Sequence, residues 1–340
     1  MNKQPSRIAV IGGGSWGTAL TKMLCDHKAA GGKITDLYWW VRTPETADYI
    51  IHNHHNPNYI SSVEIRSDIV TVTHDLEFVL KHSELIILAV PSAFLMDTLK
   101  SITPEMLQSH WIVSAIKGLV PHTRQIIADY LTTAFNVPAD RLMVISGPCH
   151  AEEVASEKLS YLTIAGMNSD AVAYFASLLS SRYIRTILSD DITGTEYGAV
   201  LKNIYAVASG ICHGLGFGDN FQAVLVSNAI REMERFLYAV KAHPREINHS
   251  AYLGDLLVTA YSQHSRNRTF GMMMGKGYTV QTAQLEMKMI AEGYYATKSL
   301  YELNQSQLKV EIPIAEAVYN ILYKNSSARK EIDKLCDVLV

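Results

Sequence analysis

Ile8-Ala-Val-Ile-Gly-Gly-Gly-Ser-Trp-Gly-Thr-Ala-Leu20 is the stretch on which the fold turns. Ile8–Ile11 is a short, continuous apolar run, the pattern of a strand covered on both faces. Three glycines then make a turn, and Ser15 onward reads as a helix. Gly12, Gly14 and Gly17 fill a G-x-G-x-x-G spacing. The first permits the tight turn, the second lets a pyrophosphate approach the backbone, and the third lets helix pack closely on strand. The helix start offers unpaired N–H groups and the positive end of its dipole to phosphates. The spacing alone is a weak signal. Placed directly after the first strand, it specifies a dinucleotide site.

Outward from that turn, apolar runs recur at Leu37–Val41, Ile69–Thr73, Leu85–Val90, Trp111–Ile116, Leu142–Ser146, Tyr161–Ala165 and Arg185–Leu188, separated by helix-like segments. This alternation predicts an α/β architecture with a mostly parallel, doubly wound sheet. Near Ser189–Asp190 the pattern changes to long helical stretches at Thr193–His213, Phe221–Val240, Val280–Leu303 and Ile314–Tyr323. The expected division is a nucleotide domain over residues 1–189 and an all-helical C-terminal domain over 190–340.

Bulk properties agree with an ordinary folded chain. It has 340 residues, 48% of them hydrophobic and 19% charged, enough for one or two sizeable cores. A net charge of -3 provides no global field for nucleic acid or an anionic membrane, so an anionic ligand must be held by local cations. Cys25, Cys149, Cys212 and Cys336 are too scattered for a metal pair or a disulfide framework, and no metal site is expected. That cysteine usage fits a reducing, cytoplasmic setting. No apolar signal core opens the chain, and no apolar run is long enough to span a membrane. The histidines of Asn53–Asn56 read as a solvated polar loop.

Several segments carry candidate chemistry. In Thr195–His213, small residues recur at helical spacing, and Lys202 sits among them with Asn203 beside it. Either a ligand comes close to that stripe, or it packs on a neighbouring helix with Lys202 in solvent. Ser265-Arg-Asn-Arg268 is dense in groups that grip oxyanions: Ser265 a hydroxyl, Arg266 a forked cation, Asn267 an amide donor. Ser146-Gly-Pro-Cys149 and Ala115-Ile-Lys-Gly118 each follow a strand, at the sheet edge where such folds bind ligands. Arg42 stands where an NAD-specific fold often has an acid. It could pair with a 2′-phosphate, stack on adenine, or simply lie at the surface.

Together these motifs resemble the NAD(P)-dependent glycerol-3-phosphate dehydrogenases of the bacterial soluble type. The resemblance rests on GGGSWGTAL from Gly12, Arg42, Asn56–Tyr59, Val90-Pro-Ser92, Lys117-Gly118, SGPCHAEE from Ser146, EYGAVLKN from Glu196, Gly218-Asp-Asn220, GDLLVT from Gly254, SRNRTFG from Ser265 and Ala291-Glu-Gly293. It implies a Rossmann domain followed by a helical domain, and interconversion of dihydroxyacetone phosphate and sn-glycerol 3-phosphate. It implies Lys202 as general acid/base, with Lys117, Gly147, Cys149, Asp255, Arg266 and Asn267 at the substrate. It places Ser15, Trp16, Arg42, Tyr59, Lys117, Ala151, Arg266, Ile290 and Glu292 at the cofactor, beside Gly12, Gly14 and Gly17. NAD and NADP are both expected to serve, NADPH at least comparably to NADH. The implied role is supply of glycerol 3-phosphate for phospholipid synthesis. The expected partner is a small phosphorylated substrate, without nucleic acid or membrane insertion, in a possible homodimer.

Three positions depart from the family pattern: Cys149-His150 for a hydroxyl residue and an aromatic, Ser227-Asn228-Ala229 for Thr-Arg-Gly, and Ala260 for Cys. Rival readings are a two-domain dehydrogenase of ketoacids and a nucleotide-binding redox sensor. The sensor has no need of Lys202, Asp255 and the Ser265–Arg268 cluster.

Overall fold

The computed structural model describes residues 4–287 and 291–340, so the cofactor position expected at Ile290 lies outside the described residues. The chain forms two compact units. The first comprises residues up to Val90, Phe94–Ile116 and Ile127–Ile192; the second comprises Pro91–Ala93, Lys117–Ile126 and Thr193–Val340.

The first unit is built on one eight-stranded sheet: β1 Arg7–Ile11, β2 Asp36–Trp40, β3 Thr71–Thr73, β4 Leu85–Leu88, β5 Trp111–Ser114, β6 Leu142–Ser146, β7 Ser160–Gly166 and β8 Ile184–Ser189. Their spatial order is β3-β2-β1-β4-β5-β6-β7-β8. The first six strands follow the doubly wound 3-2-1-4-5-6 order. All pairings are parallel except β6 with β7. The central strands are buried on both faces, which is why they read as unbroken apolar runs. Helices α1 Ser15–Ala29, α2 Pro44–Asn53, α3 Leu76–His82, α4 Ile127–Phe135, α5 Ala151–Ala155 and α6 Ser169–Leu179 complete the alternation. Thr43 caps α2, Asp75 caps α3 and Asn168 caps α6, each by accepting a backbone N–H of the first turn.

The second unit is helical. Its helices are α7 Ile192–Gly214, α8 Asp219–Val240, α9 Asp255–Tyr261, α10 Arg266–Gly275, α11 Val280–Glu286, α12 Glu292–Leu303, α13 Pro313–Tyr323 and α14 Ala328–Cys336. Every residue of α7 from Gly194 to Cys212 is buried, so it is the unit's central helix rather than an amphipathic surface one. The expected single helix Val280–Leu303 is two helices. Met287 is extended after α11, and Ala291 is extended before α12. Helices α9, α10 and α14 were not expected from periodicity. They are short, and α9 grows from a one-turn π-helix at Ser250–Gly254. No helix among the described residues is long and apolar enough to cross a membrane.

Candidate functional site

In the first unit, the glycine turn closes at the carboxyl end of β1. Gly12 has φ +133°, and a Cβ there would lie 2.5 Å from Ala89 O after β4. A Cβ on Gly17 would lie 2.0 Å from Gly12 O, so only hydrogen permits α1 to sit this close. Around Gly14, by contrast, a Cβ would meet nothing within 4 Å. The turn thus exposes backbone where a phosphate must approach. Gly14 precedes α1 without a side-chain cap, and the first turn of α1 carries no acid. Half-buried Trp16 adds an indole N–H that is buried without a hydrogen-bond partner among the described residues. An open cradle, an uncapped helix start and an unsatisfied donor fit a dinucleotide. Gly17→Ala is expected to lower the melting temperature and weaken dinucleotide binding together, because the new methyl must displace the turn. Thermal unfolding and coenzyme titration check this.

Two residues given no role by the sequence hold this turn. Trp39 Nε1 donates to Gly12 O at 2.9 Å from within the core. Asn56 is completely buried. Its amide donates to Gly13 O and Thr18 Oγ1, both at 2.9 Å, while its carbonyl accepts from Asn58 N and Tyr59 N. Asn56 therefore ties the loop bearing half-buried Tyr59 to the glycine turn. The Asn-Pro-Asn-Tyr run was the available signal, but its partner lies 43 residues away. Arg42 is exposed just past β2. Gly147 has φ +116°, with 2.7 Å between a notional Cβ and Tyr161 O. Cys149 Sγ turns back onto Gly147 O at 3.1 Å, and Ala151 opens α5.

The second unit gathers a different set. Lys202, 6% exposed in its side chain, donates to Asp255 Oδ1, and to Thr259 Oγ1 at 3.1 Å. The Thr259 hydroxyl spends its own proton on Asp255 O at 2.6 Å, leaving a lone pair for the lysine. Lys117 Nζ lies 3.5 Å from the other carboxylate oxygen, Oδ2. Two lysines thus face the two oxygens of one buried carboxylate. Lys202 is not in solvent, although the small-residue stripe of its helix does pack tightly on a neighbour. A Cβ on Gly210 would come 2.1 Å from Arg268 O, and one on Gly271 2.1 Å from Val207 O. Helices α7 and α10 meet backbone to backbone.

That crossing brings Ser265–Asn267 to Asn203. Asn203 Nδ2 donates to Lys117 O, its Oδ1 accepts from Asn267 Nδ2, and Asn267 Oδ1 accepts from Gly293 N. One amide relay fixes the Lys117 loop, the start of α10 and the start of α12. Ser265 caps α10 by accepting from Arg268 N, so its oxygen is engaged in holding the helix. Arg266 is half-buried at the first position of α10. Glu292 accepts from Ser92 N and Ser92 Oγ at 3.0 and 2.6 Å. Burial pushes the Glu292 carboxyl up; the Ser92 hydrogen bonds and the positive charge of Arg266 oppose that shift. A Cβ on Gly118 would strike Ser92 Oγ at 2.3 Å, so this corner admits no larger residue.

The departures also have structural outcomes. Asn228 Nδ2 donates to Val340 O and its Oδ1 accepts from Val340 N, holding the last residue against α8. Ala260 is buried, with its carbonyl accepting from Ser209 Oγ.

Comparison with known proteins adds an independent line. Residues 7–172 match the model of the NAD-dependent glycerol-3-phosphate dehydrogenase N-terminus, and 191–333 match that of the C-terminus. The chain is 35% identical over 324 residues to a glycerol-3-phosphate dehydrogenase [NAD(P)+] of Carboxydothermus hydrogenoformans, covering 95% of this chain and 94% of that protein. It is 36% identical over 332 residues to one of Enterococcus faecalis, covering 96% and 95%. Among solved structures, the glycerol-3-phosphate dehydrogenase of Coxiella burnetii superposes with a TM-score of 0.89 at 27% identity, covering 98% of this chain and 99% of that one.

Proposed function

The chain belongs to the NAD-dependent glycerol-3-phosphate dehydrogenase family, and on that premise we propose how its own residues carry the reaction. It interconverts dihydroxyacetone phosphate and sn-glycerol 3-phosphate with NAD or NADP. The observation that carries the residue assignment is the buried cluster of Lys202 and Lys117 around Asp255.

When bound, the coenzyme supplies or takes up the hydride at C2. The turn Gly12–Gly17 and the start of α1 hold its pyrophosphate, with Ser15, Trp16, Tyr59 and Ala151 around it and Arg42 at the adenosine ribose. In the second unit, Lys117, Arg266 and Glu292 are assigned to the cofactor by the family resemblance. During reduction, negative charge gathers on the carbonyl oxygen. Lys202, as ammonium, hydrogen-bonds that oxygen and donates the proton. Asp255 and Thr259 hold the lysine in place while it does so. Oxidation needs the same lysine as a free amine, so that direction gains as pH rises. Arg266 and Asn267, with Ser265, anchor the phosphate; Lys117, and in the first unit Gly147 and Cys149, are assigned to the substrate by the family resemblance. Binding energy from the unreactive phosphate fixes the reacting carbon.

The reading extends to a cytoplasmic enzyme that provides glycerol 3-phosphate for phospholipid synthesis, the compartment supported by cysteines too scattered for a disulfide framework. Nucleic acid is not expected as a partner, since the net charge is -3. The direct test mixes purified chain, dihydroxyacetone phosphate and reduced coenzyme. Loss of the reduced-nicotinamide absorbance is expected. Negligible turnover here, with good turnover on a ketoacid, overturns the reading.

Coenzyme choice gives a further test. Arg42 is exposed and no acid ends β2, so nothing there repels a 2′-phosphate. Both coenzymes are expected to work, NADPH at least as well as NADH. Arg42→Ala should weaken NADPH more than NADH at one fixed ionic strength. Equal loss of both shows that Arg42 does not read the 2′-phosphate.

A further inference from the structure

The first turn of α12 carries two contacts of the candidate site. Glu292 accepts from Ser92, and Gly293 N donates to Asn267 Oδ1 at 2.8 Å. The second contact fixes which way round the Asn267 amide sits. Asn203 Nδ2 donates to Lys117 O, so Asn203 presents its Oδ1 to Asn267 Nδ2. Gly293 N then requires Asn267 Oδ1 on the other side. Turned over, the amide would set donor against donor at Gly293 and acceptor against acceptor at Asn203. As it stands, one N–H of Asn267 Nδ2 goes to Asn203 and the second can serve a phosphate oxygen. The placing of Gly293 therefore governs Asn267. A Cβ on Gly293 would lie 2.6 Å from Asn203 O, so α12 starts in backbone contact with α7.

α13 holds the same turn. Tyr323, the last residue of α13, donates from its hydroxyl to Tyr294 O at 2.7 Å. The two rings stack, with centroids 4.9 Å apart and planes 24° apart. Tyr294 also meets Phe270 edge-on at 5.9 Å, and Phe270 follows Asn267 by one turn of α10. Burial pushes the Tyr323 phenol far above its usual range, so the hydroxyl stays a donor at working pH. Tyr319 stacks on Tyr323 at 5.3 Å and Tyr301 on Tyr319 at 3.7 Å, which carries the stack to the last turn of α12. We propose that Tyr323 is a positioning residue for phosphate binding: by holding the carbonyl and ring of Tyr294, it keeps Gly293 N on Asn267 Oδ1 and so keeps the Asn267 amide in its phosphate-binding orientation. The inference rests on the assignment of Asn267 to the substrate phosphate.

Steady-state kinetics of the full-length protein at saturating coenzyme test this. Tyr323→Phe keeps the ring and removes the hydrogen bond. KM for dihydroxyacetone phosphate should rise about three- to tenfold, the net worth of one hydrogen bond, with kcat within about twofold of wild type. In an Asn267→Ala background the same change should leave KM where it was, because the amide it orients is gone. Tyr301→Leu breaks the far end of the stack, and should lower the melting temperature without raising KM. A KM unmoved by Tyr323→Phe, or raised equally in both backgrounds, overturns the positioning role. So does a KM raised as much by Tyr301→Leu, which makes the stack a matter of stability alone. If Asn267→Ala by itself leaves KM unchanged, the phosphate assignment of Asn267 fails first, and this inference falls with it.

Discussion

Replacing Lys202 by alanine is expected to lower kcat by ~10²–10⁴-fold, the usual contribution of a positioned general acid. Coenzyme binding should survive, because the glycine turn, Asn56 and Trp39 belong to the first unit and make no use of this lysine. The variant also removes one of the two cations facing the buried carboxylate of Asp255. Breaking a buried ion pair costs about 3–5 kcal/mol of stability, so a lower melting temperature accompanies the kinetic loss. Two measurements separate the effects. Turnover is measured well below the transition, and small primary amines are added to refill the space of the lost side chain. Partial rescue of kcat by the amine marks proton transfer; a structural lysine gives none. A folded variant within a few-fold of wild type assigns the proton to another group.

Arg266→Ala should act on KM rather than on the fold. Truncating one partner of a buried charge pair costs about 2–5 kcal/mol, or roughly thirty- to several-thousand-fold in affinity for the phosphorylated substrate. Dihydroxyacetone without its phosphate should be a very poor substrate of the wild type and much less sensitive to the change. The neighbouring carboxyl responds as well. Glu292 loses the positive charge that opposes its upward shift and keeps only Ser92, so its carboxyl moves further up. Arg266→Lys should recover part of the affinity but not the forked geometry. Equal losses on the two substrates place Arg266 with the coenzyme or the fold instead.

Much of the architecture was legible without coordinates. Each of the eight runs became a strand, and the central ones read as unbroken apolar runs because they are covered on both faces. The glycine turn was legible for the same kind of local reason: three backbone positions exclude or expose a Cβ, and the spacing records which. The short helices α9 and α10 escaped notice because seven and ten residues give periodicity little to act on. The π-helical turn before α9 further blurs its start. The break between α11 and α12 escaped because apolar and polar residues run on at helical spacing across it.

What the sequence determined by itself, then, is whatever depends on neighbours in the chain: strand, turn and helix around Gly12–Gly17, the change of pattern near Asp190, and a lysine set among small residues. What only the tertiary structure decided is partnership. Asp255 stands between Lys202 and Lys117, Asn203 links Lys117 to Asn267, and Glu292 reaches Ser92 across 200 residues. The small-residue stripe of α7 is resolved in the same way, as a seat for α10 that also carries a buried, paired lysine. Even the membership of Pro91–Ala93 and Lys117–Ile126 in the second unit follows from packing rather than chain order. A hydrogen bond or ion pair between distant residues leaves no periodicity in either segment; it exists only once burial has removed water as the competing partner.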